Sequence, residues 1–269
     1  MNMQKTEKRV EVIGNSTLYL GDCLDVMPNL QHVDMVICDL PYGTTQNKWD
    51  SIIPLSPLWR EYERLCRGAI VLTAQTPFDK VLGASNLRML KYEWIWEKTN
   101  PTGHLNANKA PMKAHENVLV FYDHMPTYNP QKTTGHTRKT ATKRMDRTTN
   151  YGVQNFLQIG YDSTERYPRS VLTIPSDKQR SKLHPTQKPV ALMRYLIETY
   201  TNPGDVVLDN CMGSGTTGVA CYELGRSFIG IEKDPIYFDI SFRRLAELNA
   251  SACNDCAAAI RALKGESNG

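Results

Sequence analysis

The chain has 269 residues, 41% hydrophobic and 22% charged, enough apolar side chains for one large core, with or without an insert. Mean hydropathy is −0.45, and no apolar run approaches the roughly 18–20 residues that span a bilayer, which excludes a polytopic membrane protein. Thirty-two basic against 28 acidic side chains leave a net charge of +4, and the seven cysteines are odd in number and scattered, as free thiols and not a disulfide framework.

The first nine residues, Met1 to Arg9, hold no apolar stretch of the export type, so no membrane association and a cytoplasmic location are expected. Short apolar runs of buried-strand type then recur at Asp34–Cys38, Ala69–Thr73, Tyr92–Trp96, Val118–Tyr122, Val206–Asp209 and Phe228–Glu232. Helical patterns fall between several of them, at Leu55–Cys66, Thr76–Leu87, Pro189–Tyr200 and Thr216–Leu224. The alternation predicts a parallel α/β sheet covered on both faces.

The alternation stops between about Asp123 and Lys182, where Thr, Lys, Arg, Tyr and Asn dominate. Some 60 residues are too many for an ordinary loop, so this stretch is expected to be an inserted subdomain or a long functional loop. Within it, residues 131–147 carry Lys132, Arg138, Lys139, Lys143, Arg144 and Arg147 against the single acid Asp146. That segment is +5 and the rest of the chain −1, the electrostatic footprint of a polyanion partner or a solvated loop that orders on one. The Ala-rich residues 250–264 predict a terminal helix.

Residues 206–232 run from a strand into Gly213-Ser214-Gly215-Thr216-Thr217-Gly218, then a helix, then a strand ending in Glu232, with Lys233 next in the chain. Glycines let the backbone turn tightly against a ligand, a helix N-terminus offers free N–H groups, and a terminal acid can accept from ribose hydroxyls. In the dinucleotide fingerprint the first glycine comes almost at once after the strand. Here Asp209, Asn210, Cys211 and Met212 intervene. An acid four residues before the loop suits the ammonium of S-adenosylmethionine better than a pyrophosphate. The loop sits so late that the residues after it are too few to complete a sheet. The missing strands therefore come from the N-terminal half, and the sheet is expected to be circularly permuted.

Asp39-Leu40-Pro41-Tyr42 comes directly after a buried strand, where α/β sheets bind ligands. An exocyclic amine such as N6 of adenine is a poor nucleophile, because its lone pair is delocalised into the ring. Two acceptors aimed at its N–H groups, the Asp39 carboxylate and the Leu40 carbonyl, favour a tetrahedral nitrogen. Pro41 fixes the direction of that carbonyl and Tyr42 offers a face to a flipped base.

Asp39–Tyr42 resembles the D-P-P-Y motif of the DNA amino-methyltransferases, with Leu40 in place of the first proline. Val206–Thr217 resembles their cofactor motif, D-P-F-x-G-S-G-T-T, with Asn210-Cys211-Met212 departing from it. His184-Pro-Thr186-Gln-Lys-Pro189 is similar to the family's H-P-T-Q-K-P segment, and Gly21-Asp22-Cys23 to its acidic turn beside the cofactor adenine. The motif order is the family's β arrangement. The resemblance implies a circularly permuted Rossmann-like methyltransferase sheet: a catalytic half over 1–122, a target-recognition insert over 123–182, and a cofactor-binding half with a terminal helix over 183–269. It implies S-adenosylmethionine held by Asp22, Cys23, His184, Thr186, Asp209, Asn210, Met212, Gly213, Ser214, Gly215, Thr216, Glu232 and Lys233. Duplex DNA is the implied partner, and a homodimer or a cognate restriction endonuclease is compatible with it. An Asp opening the tetrapeptide goes with N6-adenine methylation in this family and a Ser with N4-cytosine; the alternatives are N4-cytosine, RNA or a protein glutamine.

Other residues read more simply. Cys38, ahead of Asp39, is expected in the core and not as the nucleophile of carbon-5 cytosine methylation. Cys253-Asn-Asp-Cys256 lacks a second ligand pair, so no metal is expected. Trp94 and Trp96 alternate as sheet residues, Trp49 and Tyr151 are open candidates for DNA contact, and Lys188 ends a loop ahead of a helix.

Overall fold

The structure is a computed structural model in which residues 9–43, 51–141, 161–176 and 187–263 are described. The chain opens with β1 (Arg9–Ile13), β2 (Ser16–Leu20), α1 (Cys23–Val26), β3 (Val33–Asp39), α2 (Leu55–Leu65), β4 (Cys66–Ala74), α3 (Phe78–Ser85), β5 (Leu90–Thr102) and β6 (Lys113–Phe121). After β7 (Lys139–Ala141) and β8 (Tyr161–Ser163) come β9 (Val171–Thr173), α4 (Val190–Tyr200), β10 (Val206–Asp209), α5 (Thr216–Leu224), β11 (Ser227–Glu232) and α6 (Pro235–Leu263).

Nine strands form one sheet in the order β1-β2-β11-β10-β3-β4-β6-β5-β9. Its centre, from β2 to β4, is parallel. The expectation of a wholly parallel sheet is corrected at both sides. β1 and β2 pair antiparallel across Gly14-Asn15, and β6 lies antiparallel between β4 and β5. The reason is the connection: β5 and β6 are joined by ten residues without a covering helix, which makes a hairpin and not a crossover. The two last strands of the chain, β10 and β11, enter the centre of the sheet between β3 and β2, which is the permutation the late glycine loop implies.

The run at β3 is apolar throughout because both of its faces are buried. Met35 and Ile37 enter one core with α4 and α5, through Leu192, Leu196 and Val219. Val36 and Cys38 enter the opposite core with α2 and α3, through Leu58, Tyr62 and Leu82. Cys38 is a core residue, 1% exposed, and Trp94 and Trp96 are buried sheet residues, as expected.

Two elements extend beyond what the sequence pattern predicts. The β1–β2 hairpin is signalled by Gly-Asn between alternating apolar positions. α6 begins at Pro235, well before residue 250. Asp234 caps it, its Oδ1 accepting from Ile236 N at 2.8 Å, and Phe238, Phe242 and Leu245 give it helical spacing. Cys253 and Cys256 lie on this helix.

Residues Pro130–Arg169 form a compact unit of their own. In it β7 pairs antiparallel with β8, and a bridge joins Thr133 to Arg166.

Candidate active site

Asp39 ends β3 and Asp209 ends β10, and the two strands are parallel neighbours, with Val207 opposite Met35. Their carboxyl ends open on a cavity of about 720 Å³. The cavity brings together Asp22 and Cys23, the tetrapeptide Asp39–Tyr42, Asp209, Asn210, Met212–Ser214, Thr216, Glu232 and Lys233. Gly215 stays behind this lining: a Cβ there would lie 2.9 Å from that of Ser241 on α6. His184, Thr186, Trp49, Lys143, Arg144, Arg147 and Tyr151 lie outside the described residues. Lys132, Arg138 and Lys139 belong to the Pro130–Arg169 unit, where Lys132 pairs with Glu165 at 3.0 Å.

Folding of the glycine loop rests on two of its residues. Gly213 (φ 52°) and Gly215 (φ 76°) are left-handed, a conformation other residues adopt at a cost. Gly215 caps α5 with no side chain over the first N–H groups, so the helix presents them as donors. Gly213 N donates to Glu232 Oε2 at 2.9 Å, and Asp234 N donates to Oε1 at 2.8 Å. Glu232 is thus held by both oxygens, each with a lone pair left. Burial pushes its carboxyl up, against the pull of these N–H donors.

Asp209 is 4% exposed. It accepts from Thr217 Oγ1 at 2.6 Å and from Cys211 N at 3.1 Å. Burial pushes its carboxyl up to about 6, although these donors favour the charge. Asn210 is locked by Tyr62, whose hydroxyl donates to Oδ1 at 2.6 Å. Asp22 caps α1, accepting from Leu24 N at 2.9 Å.

Around Asp39 the structure shows residues that local sequence pattern does not reveal. Oδ1 accepts from Tyr42 Oη at 2.6 Å and from Thr73 Oγ1 at 2.5 Å, Thr73 being its partner in the β3–β4 register. Oδ2 accepts from Lys188 Nζ at 2.7 Å. Tyr42 therefore does more than offer a face: it tethers the carboxylate, while its ring tilts against Phe78 at 5.4 Å and lies 5.6 Å from the Lys188 ammonium.

Lys188 is 6% exposed and no mere end to a loop. Its Nζ also lies 3.1 Å from Glu116 Oε2, and Glu116 Oε1 pairs with Lys98 at 2.5 Å. Burial alone would pull the Lys188 ammonium down, but Asp39, Tyr42 and Glu116 around it hold its proton well above the ordinary lysine range. Glu116 is held down by the two lysines despite its own burial. Lys98 and Glu116 have a signal in the sequence. Lys98 continues the strand period of Trp94 and Trp96 on β5, and Glu116 faces Trp96 across the ladder, so both carry charge on a buried face. Lys188 falls in the segment that resembles H-P-T-Q-K-P, but nothing local ties it to Asp39. Beside it, the Gln187 carboxamide is buried, and neither amide atom has a hydrogen-bond partner among the described residues.

The site thus joins a multiply held carboxylate to an uncapped helix N-terminus and two buried acids. The family model described as DNA methylase, of the N6/N4 methylase type, matches residues 79–243, more than half of the chain. The Type II methyltransferase M.HinfI of Haemophilus influenzae is 25% identical, over 87% of this chain and 69% of that protein. The solved M1.HpyAVI–SAM complex superimposes with a TM-score of 0.61 at 26% identity, over 86% of this chain and 98% of that one. The PvuII DNA methyltransferase, cytosine-N4-specific, has a TM-score of 0.62 at 15% identity, over 90% and 94% of the two chains, a likeness of fold alone.

Proposed function

The chain belongs to the N6/N4 family of DNA methylases, and from that premise we propose that it methylates the exocyclic N6 of adenine at a short sequence in duplex DNA. Its cofactor is S-adenosylmethionine, the ligand of the M1.HpyAVI complex. The observation that carries the reading is Asp39 at the carboxyl end of β3, in one cavity with the glycine loop after β10.

The residues present fit that cofactor. Asp209 and the first N–H groups of α5 suit the two charges of its methionine end. Glu232 keeps a lone pair on each oxygen for ribose hydroxyls, and Asp22 lines the same cavity for the adenine. The Gln187 carboxamide, buried without a partner among the described residues, leaves both a donor and an acceptor for the occupant of the cavity. The group supplies, when bound, an electrophilic methyl on a sulfonium.

The chain's own residues prepare the nucleophile. Asp39 and the Leu40 carbonyl accept the two N–H bonds of the target amine and turn its lone pair out of conjugation. Tyr42 and Thr73 fix Asp39 from one side. The arrangement works by positioning and electrostatics, with no covalent enzyme intermediate. An aspartate as first residue of the tetrapeptide supports adenine over cytosine.

Tritiated-methyl transfer to duplex DNA, RNA and protein, with methylation-aware sequencing of the DNA, tests this. The expected product is 6-methyladenine in one sequence context. 4-Methylcytosine would overturn the choice of base, and label in RNA or protein alone would overturn the substrate.

A further inference from the structure

Four side chains alternate in charge from the half-buried Asp39 carboxylate inwards to three buried groups: Asp39, Lys188, Glu116 and Lys98. The ladder is neutral as a whole, which is how a low-dielectric site tolerates four charges. Its middle joint is asymmetric. Lys188 Nζ lies 2.7 Å from Asp39 Oδ2 with hydrogen-bond geometry, and 3.1 Å from Glu116 Oε2, which accepts no hydrogen bond among the described residues. Lys98 fixes the other oxygen of Glu116 at 2.5 Å. One ammonium thus stands between two carboxylate oxygens, ion-paired to both and closer to that of Asp39.

This joint bears on the reaction proposed above, on which the inference rests. Oδ1 of Asp39 is occupied by Tyr42 and Thr73, so a target amine must donate to Oδ2, where Lys188 sits. A cation on that oxygen weakens it as an acceptor and opposes the positive charge that grows on the amine as it reacts. We propose that Lys188 is the positioning residue of Asp39: it orients the carboxylate until the target amine arrives, then shifts its pairing from Asp39 to Glu116 Oε2, with which it already forms an ion pair at 3.1 Å. Lys188 keeps its proton throughout; only its hydrogen-bond partner changes.

Three variants separate the parts of this proposal. Lys188→Met removes the orienting cation, Lys188→Arg keeps the charge, and Glu116→Gln keeps the shape of the acceptor but removes its charge. In single-turnover assays on methylatable duplex, Lys188→Met and Glu116→Gln are each expected to lose at least about tenfold in rate, with unchanged affinity for S-adenosylmethionine and Lys188→Arg recovering part of the loss. The direct readout is the Lys188 ¹⁵Nζ resonance with S-adenosylhomocysteine bound: addition of target duplex shifts it in the wild type and leaves it unmoved in Glu116→Gln. Should Lys188→Met fail to fold, the other two variants and the resonance still decide. A Glu116→Gln enzyme at the wild-type rate, or a wild-type resonance indifferent to target duplex, overturns the handover. A wild-type enzyme that transfers no methyl to any DNA sinks the parent reading and the handover together, and is told apart because the variants are then not needed to see it.

Discussion

Three donors converge on the carboxylate of Asp39, from Tyr42, Thr73 and Lys188. Their number shows that its orientation, and not only its charge, is set by the fold. Asp39→Ala is expected to lower single-turnover methyl transfer by at least about a hundredfold, the scale of removing one preorganised polar group from an active site. Binding of S-adenosylmethionine, measured by calorimetry, stays largely intact, because Asp39 acts on the amine and does not anchor the cofactor. Near-normal turnover would remove Asp39 from the mechanism. Asp209 gives a second test at this scale. Its carboxyl is pushed up to about 6 by burial, from an unfolded value near about 3.9. A raised acid holds its proton more tightly when folded, so it contributes stability below about pH 4 that is lost as pH rises through about 6. Two units at about 1.4 kcal/mol each make on the order of 3 kcal/mol. Urea unfolding between about pH 4 and 7 should show this fall in the wild type and a flatter profile in Asp209→Asn; parallel profiles would contradict it.

Among the connections, the one between β5 and β6 carries a consequence for substrate. From the turn between β5 and β6 into the start of β6, every residue from Gly103 to His115 is exposed. Residues 98–115 contain Lys98, Lys109, Lys113, His104 and His115 and no acid. Gly103, Asn106 and Lys113 line the cavity. In the proposed reaction, a duplex that delivers a base to Asp39 would bring its phosphates against this basic loop. Replacing Lys109 and Lys113 by Ala is expected to make the slope of log K against log salt shallower by as much as about 1.8, each phosphate contact contributing about 0.9. A DNA-binding titration from low to high salt measures it, with cofactor affinity as the control. An unaltered slope would leave this loop off the DNA.

For the whole molecule the charge is uneven: residues 131–147 carry +5 in a chain whose net charge is +4. If this segment supplies backbone contacts, replacing Arg138, Lys139, Lys143 and Arg144 by Ala removes up to four of them. The salt slope should then fall by as much as about 3.6, with cofactor affinity unchanged. Where one of these side chains reads a guanine edge instead, discrimination at that base relaxes by about 1–3 kcal/mol. An unchanged slope together with unchanged site preference returns the segment to a solvated loop.

From sequence alone came the central strands β3, β4, β10 and β11 and the permutation; β2, parallel beside β11, did not. Val206–Asp209 and Thr216–Leu224 were legible to the residue, because a strand buried on both faces needs an apolar run, here Val206–Leu208 ahead of Asp209, and a loop at positive φ favours glycine. These are local demands, and local pattern records them. The antiparallel place of β6 was not legible, since strand direction depends on how a connection crosses the sheet. Nor was the ladder around Asp39. Lys188 is 149 residues away along the chain, and its H-P-T-Q-K-P-like segment does not say that it meets Asp39. Only packing, by burying that ammonium between two carboxylates, made it part of the site: the energy of a charge depends on the dielectric and the neighbours the fold gives it, and neither is written in the residue's own stretch of chain.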